Sequence, residues 1–539
     1  MSLRIILILL VLHGVAGFAF LSGVSEGFPL DDTWAHMVFA RSFAEGAGFS
    51  YNPGQPETGV TAPFWTLLLS LPVGLSDVLE RHPDVLASLP GVTRQAAEAF
   101  DGRPDLAVRI LCGLMGLALA CVGWQLASRA GRWPAVFTAA ALTFDPLLLF
   151  DRYSGMELTL FGLLTLMLAE ALLDEREQRS GLLAGFATLA RPEGLLLLGF
   201  GFVWFLRRKH GAWRFLMWGV LCLLPWIAYC LAVSGRPWPA TFDTKAVAVL
   251  EPRLVLSAMG ALFGDTGWGW ALPLSMAVGI FSLEGGRHTL GWLVTGLAVV
   301  LGLGVLLSRP LEVSAVTGHV PYYWARYAHI VWPLALIVAA TGVSALVRTA
   351  YAGLRCKPLY AALLIGPFLV VLLTGRQLPA FGPELKQRFS RECAHVEALN
   401  VAAGEWIAEN TDRRAVVATH DAGAIRFFGD RRTLDIFGNQ SHALLAAERR
   451  GPEAARQWLL AQKPDVLAVF PALWARNHSP ELKDIWADLP PQEGEALMNT
   501  AQDYAEFFGL TRRVKTFTVD DPATVPSPLH AHLALFERP

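Results

Sequence analysis

The chain has 539 residues, 53% of them hydrophobic and only 17% charged, with 18 Trp and a mean hydropathy of +0.41. Soluble domains carry charge on about a quarter of their residues, so an ordinary soluble enzyme is excluded and a membrane protein is indicated. A net charge of −2 with no Lys/Arg-rich tail argues against nucleic acid as a partner, and six scattered Cys without a CxxC argue against disulfides or a thiolate metal site.

Apolar runs of the length that crosses a bilayer, about 17–25 residues, lie near 4–22, 105–128, 133–150, 154–173, 213–233, 257–282, 288–308, 327–347 and 358–374. Another at 181–206 is interrupted by RPEG, and a shorter one at 61–76 contains prolines. The first run has the basic start and apolar stretch of a signal peptide, but the many spans behind it favour a retained anchor. The predicted fold class is therefore mainly α: a polytopic α-helical membrane protein of about 10–11 transmembrane segments. No fixed-period repeat is present.

Lys and Arg concentrate in SRAGRW (128–133), DEREQRS (174–180), RRKHGAWR (207–214), EGGRH (284–288) and VRTAYAGLRCKP (347–358). All are cytoplasmic under one arrangement. The N-terminus is inside, 61–76 lies along the interface, and 181–206 enters and returns as two half-helices hinged at Arg191-Pro192. Full crossing by both segments puts two of the clusters outside. The preferred arrangement turns outward a first external loop (23–104), the turn DRYSGME (151–157), the loop SGRPWPATFDTK (234–245), the segment TGHVPYYWARY (317–327) and everything after 375.

From about 380 the composition becomes that of a soluble domain. VEALNVAAGEWIAEN has helical periodicity, RAVVATH, DVLAVF and VKTFTV read as strands, and HDAGAIRFFGDRRTLDIFG as a strand–turn–strand connection. The expected division is a transmembrane catalytic domain, 1–378, and an extracytoplasmic α/β domain, 379–539.

Asp31 and Asp32 stand at the start of a helix expected over Trp34 to Ala44. Free N–H groups and the helix dipole favour carboxylates there, so Asp32 reads as an N-cap. A cap accounts for one Asp and leaves the other as a candidate general base. Asp32 and His36 are i,i+4 neighbours, a spacing compatible with a divalent cation, although one such pair does not make a metal site. Lys245 follows a proline-rich turn, and Arg326 and Tyr327 open a transmembrane helix among aromatics, where an interfacial anchor is the plain reading. Arg191 and Glu193 are placed to pair at the half-helix hinge, and Glu157 opens the span at 154–173. Together these residues supply carboxylates for a base and cations for a phosphate.

The motif LDDTWAHMVFARSFAEGAGFSYNPG…TGVTAPFW resembles the first external loop of the GT-C membrane glycosyltransferases, in particular the bacterial group around the terminal arabinofuranosyltransferases. YSGMELTLFGLL is similar to that group's SGLETALFALL, LARPEGLLLL to LTRPEGLLLL, PATFDTK to PNTFYAK, RYAHIVWP to RYLLPLLP, and HDAGAIRFFGDRRTLDIFG to a motif of its external domain. The resemblance implies a polyprenyl-phosphate-linked sugar donor and an inverting transfer to an envelope glycan, lipid or protein, on the outer side of the bacterial cytoplasmic membrane. It implies that Asp31 or Asp32 is the base, with Asp31, the first of the pair, the choice. It also implies that Lys245 and Arg326 hold the donor phosphate and that His36, Glu157, Arg191, Glu193 and Tyr327 line the pocket. No cofactor is implied beyond the divalent cation that the Asp32–His36 spacing allows.

Departures from the group's pattern are Ala240 for Asn, Asp243 for an aromatic, Glu57-Thr58-Gly59 for a Val-Glu-Gly, Val38 for Arg and His36 for a small hydroxyl residue. They fall near the implied pocket, so arabinose is not carried over as the sugar. A transporter or flippase for a lipid-linked glycan is the alternative. It calls for ionisable groups near the midplane and for two-half symmetry, whereas here the charges gather at one interface.

Overall fold

The computed structural model describes residues 1–82, 104–240, 242, 268–269, 271–282, 287–308, 322–353, 378–438, 440–470, 505, 508–510, 512–519 and 532–538. Lys245, Asp243 and the expected span 358–374 lie outside the described residues. The chain forms two compact units. One comprises Met1–Ser22, Ile110–Pro225 and Ala246–Lys386; the other comprises Gly23–Arg109, Trp226–Lys245 and Gln387–Pro539.

The first unit is helical. Among the described residues of the whole chain, four helices are long and apolar enough to cross a membrane: Leu3–Leu21, Asp105–Ser128, Ala212–Ser234 and His329–Ala352. Shorter apolar helices include Leu158–Leu173, Gly194–Arg207 and Ala271–Ser282. Phe18, Trp213, Phe281 and Trp292 are exposed on such helices, as side chains facing lipid are.

The run expected as one span over 133–150 is instead two helices, Arg132–Phe144 and Pro146–Tyr153, bent by 51°. Asp145 is the reason. Its side chain accepts from the N–H groups of Leu147 and Leu148, capping the second helix, with Pro146 at the first helical position. The same carboxylate accepts the indole N–H groups of Trp268 (2.7 Å) and Trp332 (3.1 Å), so four donors share one buried acid.

The 181–206 run is likewise broken where expected. Helices Glu177–Ala190 and Gly194–Arg207 flank Arg191-Pro192-Glu193 and pack on each other. A Cβ at Gly194 would collide with the backbone of Ala187 and Thr188, so glycine permits this tight turn.

The second unit contains a mixed five-stranded sheet in the order β4-β3-β5-β7-β6. Its strands are β3 (Val416–Thr419), β4 (Arg432–Asp435), β5 (Val466–Val469), β6 (Arg512–Thr518) and β7 (His532–Glu537). Side chains alternate across it with period two. Ala418, Leu467, Val469, Ala534 and Phe536 enter one core, and Val417, Val466, Ala468, Leu533 and Leu535 enter the other. Leu399, Ala403 and Ile407, from the helical stretch Glu397–Asn410, complete the second core.

The expected strand–turn–strand over HDAGAIRFFGDRRTLDIFG is corrected: a helix, Ala424–Gly429, joins β3 to β4. The two strands are parallel, and parallel neighbours require a crossover rather than a hairpin turn. Asp430, at φ +42°, ends the helix in the left-handed conformation.

The segment expected to be the first external loop belongs to this unit. It carries the helix Asp31–Ala44, the two short strands β1 (Ser50–Asn52) and β2 (Gln55–Pro56), and the helix Pro63–Arg81. Asn52 accepts the N–H of Thr433 (2.8 Å) and donates to its carbonyl (2.9 Å). One side chain thus occupies backbone sites at the edge strand β4.

In the first unit, Ala271–Ser282 packs closely on Trp332–Gly353. A Cβ at Gly342 would fall on the Ser275 carbonyl, and one at Gly279 on the Val338 carbonyl. Small residues permit such backbone approach in membrane helices. Gly342→Leu is expected to destabilise the protein by about 1–3 kcal/mol through overpacking, read as a lowered Tm in detergent.

Candidate functional site

The helix Asp31–Ala44 begins three residues before the expected start, at Asp31 itself, with Leu30 at the cap position. The reading of Asp32 as N-cap is therefore corrected: both acids lie in the first turn. Asp31 turns its carboxylate onto another segment. One oxygen accepts from Gly423 N–H (2.7 Å), and the other accepts from Ala424 N–H (2.7 Å) and Asn400 Nδ2 (3.3 Å). A Cβ on residue 423 would strike the Asp31 carboxylate, so the Asp-Ala-Gly motif needs its glycine to admit the acid.

Asp421 stands beside this contact. Asn400, buried to 1% exposure, donates to it at 2.6 Å. Burial first, and the Asp31 charge second, push the Asp421 carboxyl well above the ordinary range. Burial also raises Asp31, against the lowering effect of the Ala424 and Gly423 N–H groups. Tyr51 donates its hydroxyl to the carbonyl of Ala422, and Arg426 donates to the Tyr51 carbonyl at 3.3 Å.

His36 is buried on the same helix, its Nδ1 3.4 Å from Thr66 Oγ1. Among the described residues no group of three or more His, Cys, Asp or Glu has the arrangement of a metal site. Glu57 accepts both the backbone N–H (3.0 Å) and Nδ1 (2.7 Å) of His442. Next to it, Ala240 N–H donates to the Thr58 carbonyl at 3.2 Å, which ties the Pro-Ala-Thr-Phe turn to the Glu-Thr-Gly segment.

The first unit holds a separate charged cluster. Arg191, at the helix break, pairs with Glu193 at 3.0 Å and with Glu157. Its guanidinium lies 5.7 Å from the centre of the Tyr327 ring, and that of Arg326 lies 5.2 Å from the same ring. Arg326 is buried and its Nη2 is 3.4 Å from the Tyr327 hydroxyl. Five residues singled out in the sequence (Glu157, Arg191, Glu193, Arg326 and Tyr327) therefore meet. Asp151 and His329, both buried, form a further pair at 2.8 Å. His329 follows Arg326 by three on the 3₁₀ helix Tyr322–Val331, and on a helix of three residues per turn they share a face.

Reading the sequence missed Asn400, Asp421, His442, Asp151 and His329. Asp421 lay inside a quoted motif, and Asn400 was a polar residue in an apolar helical stretch. Asp151 and His329 likewise lay inside quoted motifs, DRYSGME and RYAHIVWP, and His442 carried no local signal.

Residues 389–519 match a family described as a domain of unknown function (DUF8728). No curated protein matches the sequence. The chain is similar in structure to ArnT from Cupriavidus metallidurans bound to undecaprenyl phosphate, with a TM-score of 0.53 and 13% identity over 99% of this chain and 98% of that one. The apo state of that ArnT gives 0.51 and 14%, over 88% and 94%. The apo oligosaccharyltransferase of Archaeoglobus fulgidus gives 0.51 and 10%, over 86% and 69%. At such identities the likeness is one of fold, and the GT-C membrane fold implied by the motifs is borne out. The likeness to the arabinofuranosyltransferase group remains one of sequence motifs.

Two consequences are testable. Arg191→Met strands the buried Glu157 and the partly buried Glu193 carboxylates and is expected to cost about 3–5 kcal/mol in a denaturation assay; adding Glu157→Gln and Glu193→Gln should restore much of the loss. The Glu57 hydrogen bond, its largest influence, raises the His442 pKa. A group with a raised folded pKa contributes stability fully present below its ordinary value of about 6.5 and lost as pH rises through the folded value. Glu57→Gln should lower the His442 midpoint in an NMR titration and flatten that part of the Tm–pH curve.

Proposed function

We propose that this protein is a multi-pass membrane glycosyltransferase. It moves a sugar from a polyprenyl-phosphate-linked donor to an envelope glycan, lipid or protein on the outer side of the bacterial cytoplasmic membrane. The observation that carries this reading is the likeness, over nearly the whole of both chains, to an ArnT structure bound to undecaprenyl phosphate. The placement of acids in the first external loop and of a buried Arg at the start of a membrane helix adds to it.

The reaction is a single displacement with inversion. An acceptor hydroxyl attacks the anomeric carbon, the bond from that carbon to the phosphate oxygen breaks, and the polyprenyl phosphate leaves. A carboxylate takes the hydroxyl proton as the attack proceeds. We assign this role to Asp32 rather than Asp31. Both oxygens of Asp31 already accept backbone N–H groups, and Asn400 donates to one of them, so most of its about four acceptor positions are occupied. Arg326 and Lys245 stabilise the charge that grows on the departing phosphate. Glu157 and Glu193 fix Arg191 beside Tyr327 and so help to hold the wall against which Arg326 rests. The lipid tail keeps the donor in the bilayer with its phosphate at the interface, which lowers the entropic cost of bringing donor and acceptor together.

The test uses purified protein in lipid nanodiscs with polyprenyl-phosphate sugars and an envelope extract. Asp32→Asn is expected to reduce transfer by about 10²-fold or more while donor binding stays near that of the unaltered protein. Arg326→Ala should weaken both donor binding and rate. Unaltered transfer by Asp32→Asn would remove Asp32 as the base, and absence of donor binding by the unaltered protein would contradict the donor class.

A further inference from the structure

We infer that the stretch 207–214 of the first unit is a docking surface for the head groups of acidic phospholipids, with Arg207, Lys209 and Arg214 as the cations that hold them. Ion pairs bring this stretch together with two other basic stretches of the sequence, 128–133 and 174–180. Arg129 reaches Asp174 at 2.6 Å, and Glu175 takes both Arg208 at 2.9 Å and His210 at 3.2 Å. The three stretches therefore share one rim of the unit, as cationic stretches facing one side of a membrane should.

The acids of the rim are already taken. Besides Asp174 and Glu175, Glu170 pairs with Arg179 at 3.3 Å, and Glu177 lies 3.5 Å from His210. Residues 128–133, 170–180 and 207–214 hold eight Lys and Arg against four Asp and Glu. The excess of cations collects in one place. In 174–180 both arginines have an acid within 4.0 Å, whereas Arg207, Lys209 and Arg214 form no ion pair among the described residues. All three are exposed.

The same stretch stands at the depth of lipid head groups. Trp213 is 73% exposed at the start of Ala212–Ser234, a helix long and apolar enough to cross a membrane. Met217, Leu221 and Leu224 continue an exposed apolar face along that helix. An indole at the end of such a face belongs at the membrane–water interface, so Arg214, its neighbour in the chain, lies level with the phosphates. Only residues 208–211 separate the helix ending at Arg207 from the one starting at Ala212. A Cβ at Gly211, at φ +73°, would collide with the Glu177 side chain. This tight turn keeps the three cations together. A zwitterionic lipid would bring an ammonium against them, whereas an acidic one brings only negative charge, with its chains beside Trp213 and Met217. The stretches 174–180 and 207–214 also bound the two half-helices that flank Arg191, so bound head groups fix the end of that pair opposite its break.

The experiment reads Trp213 fluorescence in phosphatidylcholine nanodiscs that contain a small fraction of lipid with brominated, quenching chains. That lipid is either phosphatidylglycerol or phosphatidylcholine, and the Trp213 share is the difference between the unaltered protein and Trp213→Phe. At low salt, brominated phosphatidylglycerol should quench Trp213 at a several-fold lower fraction than brominated phosphatidylcholine. Each cation near an anionic surface is worth about fivefold in affinity. The triple variant Arg207→Gln, Lys209→Gln, Arg214→Gln should therefore lose the preference. Arg413→Gln, Arg414→Gln and Arg513→Gln, which remove as many exposed cations from the second unit, should leave it unchanged. About 1 M salt, where the screening length is about 3 Å, should abolish the preference in the unaltered protein, a measurement that stands even if the triple variant fails to fold. Equal quenching by the two lipids at low salt would overturn the inference. So would a preference that survives the triple change or high salt, or one that the second-unit change removes equally. None of these readouts involves sugar transfer.

Discussion

The contact on which the second unit is organised is a carboxylate meeting two backbone N–H groups. Asp31 opens a helix whose own N-terminus would favour it, yet its side chain is spent on Gly423 and Ala424, almost four hundred residues away in sequence. Charged acceptors on N–H donors make hydrogen bonds of about 1.5–3 kcal/mol, and leaving such an acid buried without them costs more. Everything near the contact serves it. Gly423 leaves room for the carboxylate, Tyr51 holds the Ala422 carbonyl, and Asn52 fixes the edge strand β4. The helix Asp31–Ala44 and the strand Ser50–Asn52 are thereby tied to the α/β sheet region.

The first unit solves a related problem in apolar surroundings. Its helices break at Asp145-Pro146 and at Arg191-Pro192, and at each break a buried charge replaces the lost helical hydrogen bonds as the organising element. Asp145 collects two backbone and two indole N–H groups. Arg191 collects two carboxylates and lies near the Tyr327 ring. A buried ion cluster of this kind is a poor source of net stability but an effective means of holding one geometry, because removing any single member leaves the rest uncompensated. The residues held here include Arg326 and Tyr327.

Much of the fold was legible because its signals are local. Apolar run length marked membrane helices, Arg-Pro marked the 190–194 break, and β-branched runs marked β3, β5 and β6. The bend at Asp145 escaped because hydropathy is blind to a single capping acid inside an apolar run. The helix between β3 and β4 escaped because six residues give too little periodicity to read. Among the candidate residues, Asp31 and Asp32 in one unit and Glu157, Arg191, Glu193 and Arg326 in the other stood out as charges in conspicuous places. Asp421, Asn400 and His442 did not, since their meaning lies in partners more than 300 residues distant, Asp31 and Glu57. The same long-range contact bears on Asp31: the resemblance makes it the base, and its partners at Gly423 and Ala424 are what support the proposal of Asp32 in that role.

The central claim is inverting transfer of a sugar from a polyprenyl-phosphate donor, and the most direct measurement reads donor and stereochemistry together. Purified protein in nanodiscs would receive isotope-labelled polyprenyl-phosphate sugars of known anomeric configuration and an envelope acceptor extract, with the product analysed by NMR. The expected result is transfer from one donor with the opposite anomeric configuration in the product. Retention of configuration, or failure of the folded protein to bind any polyprenyl phosphate, would contradict the account.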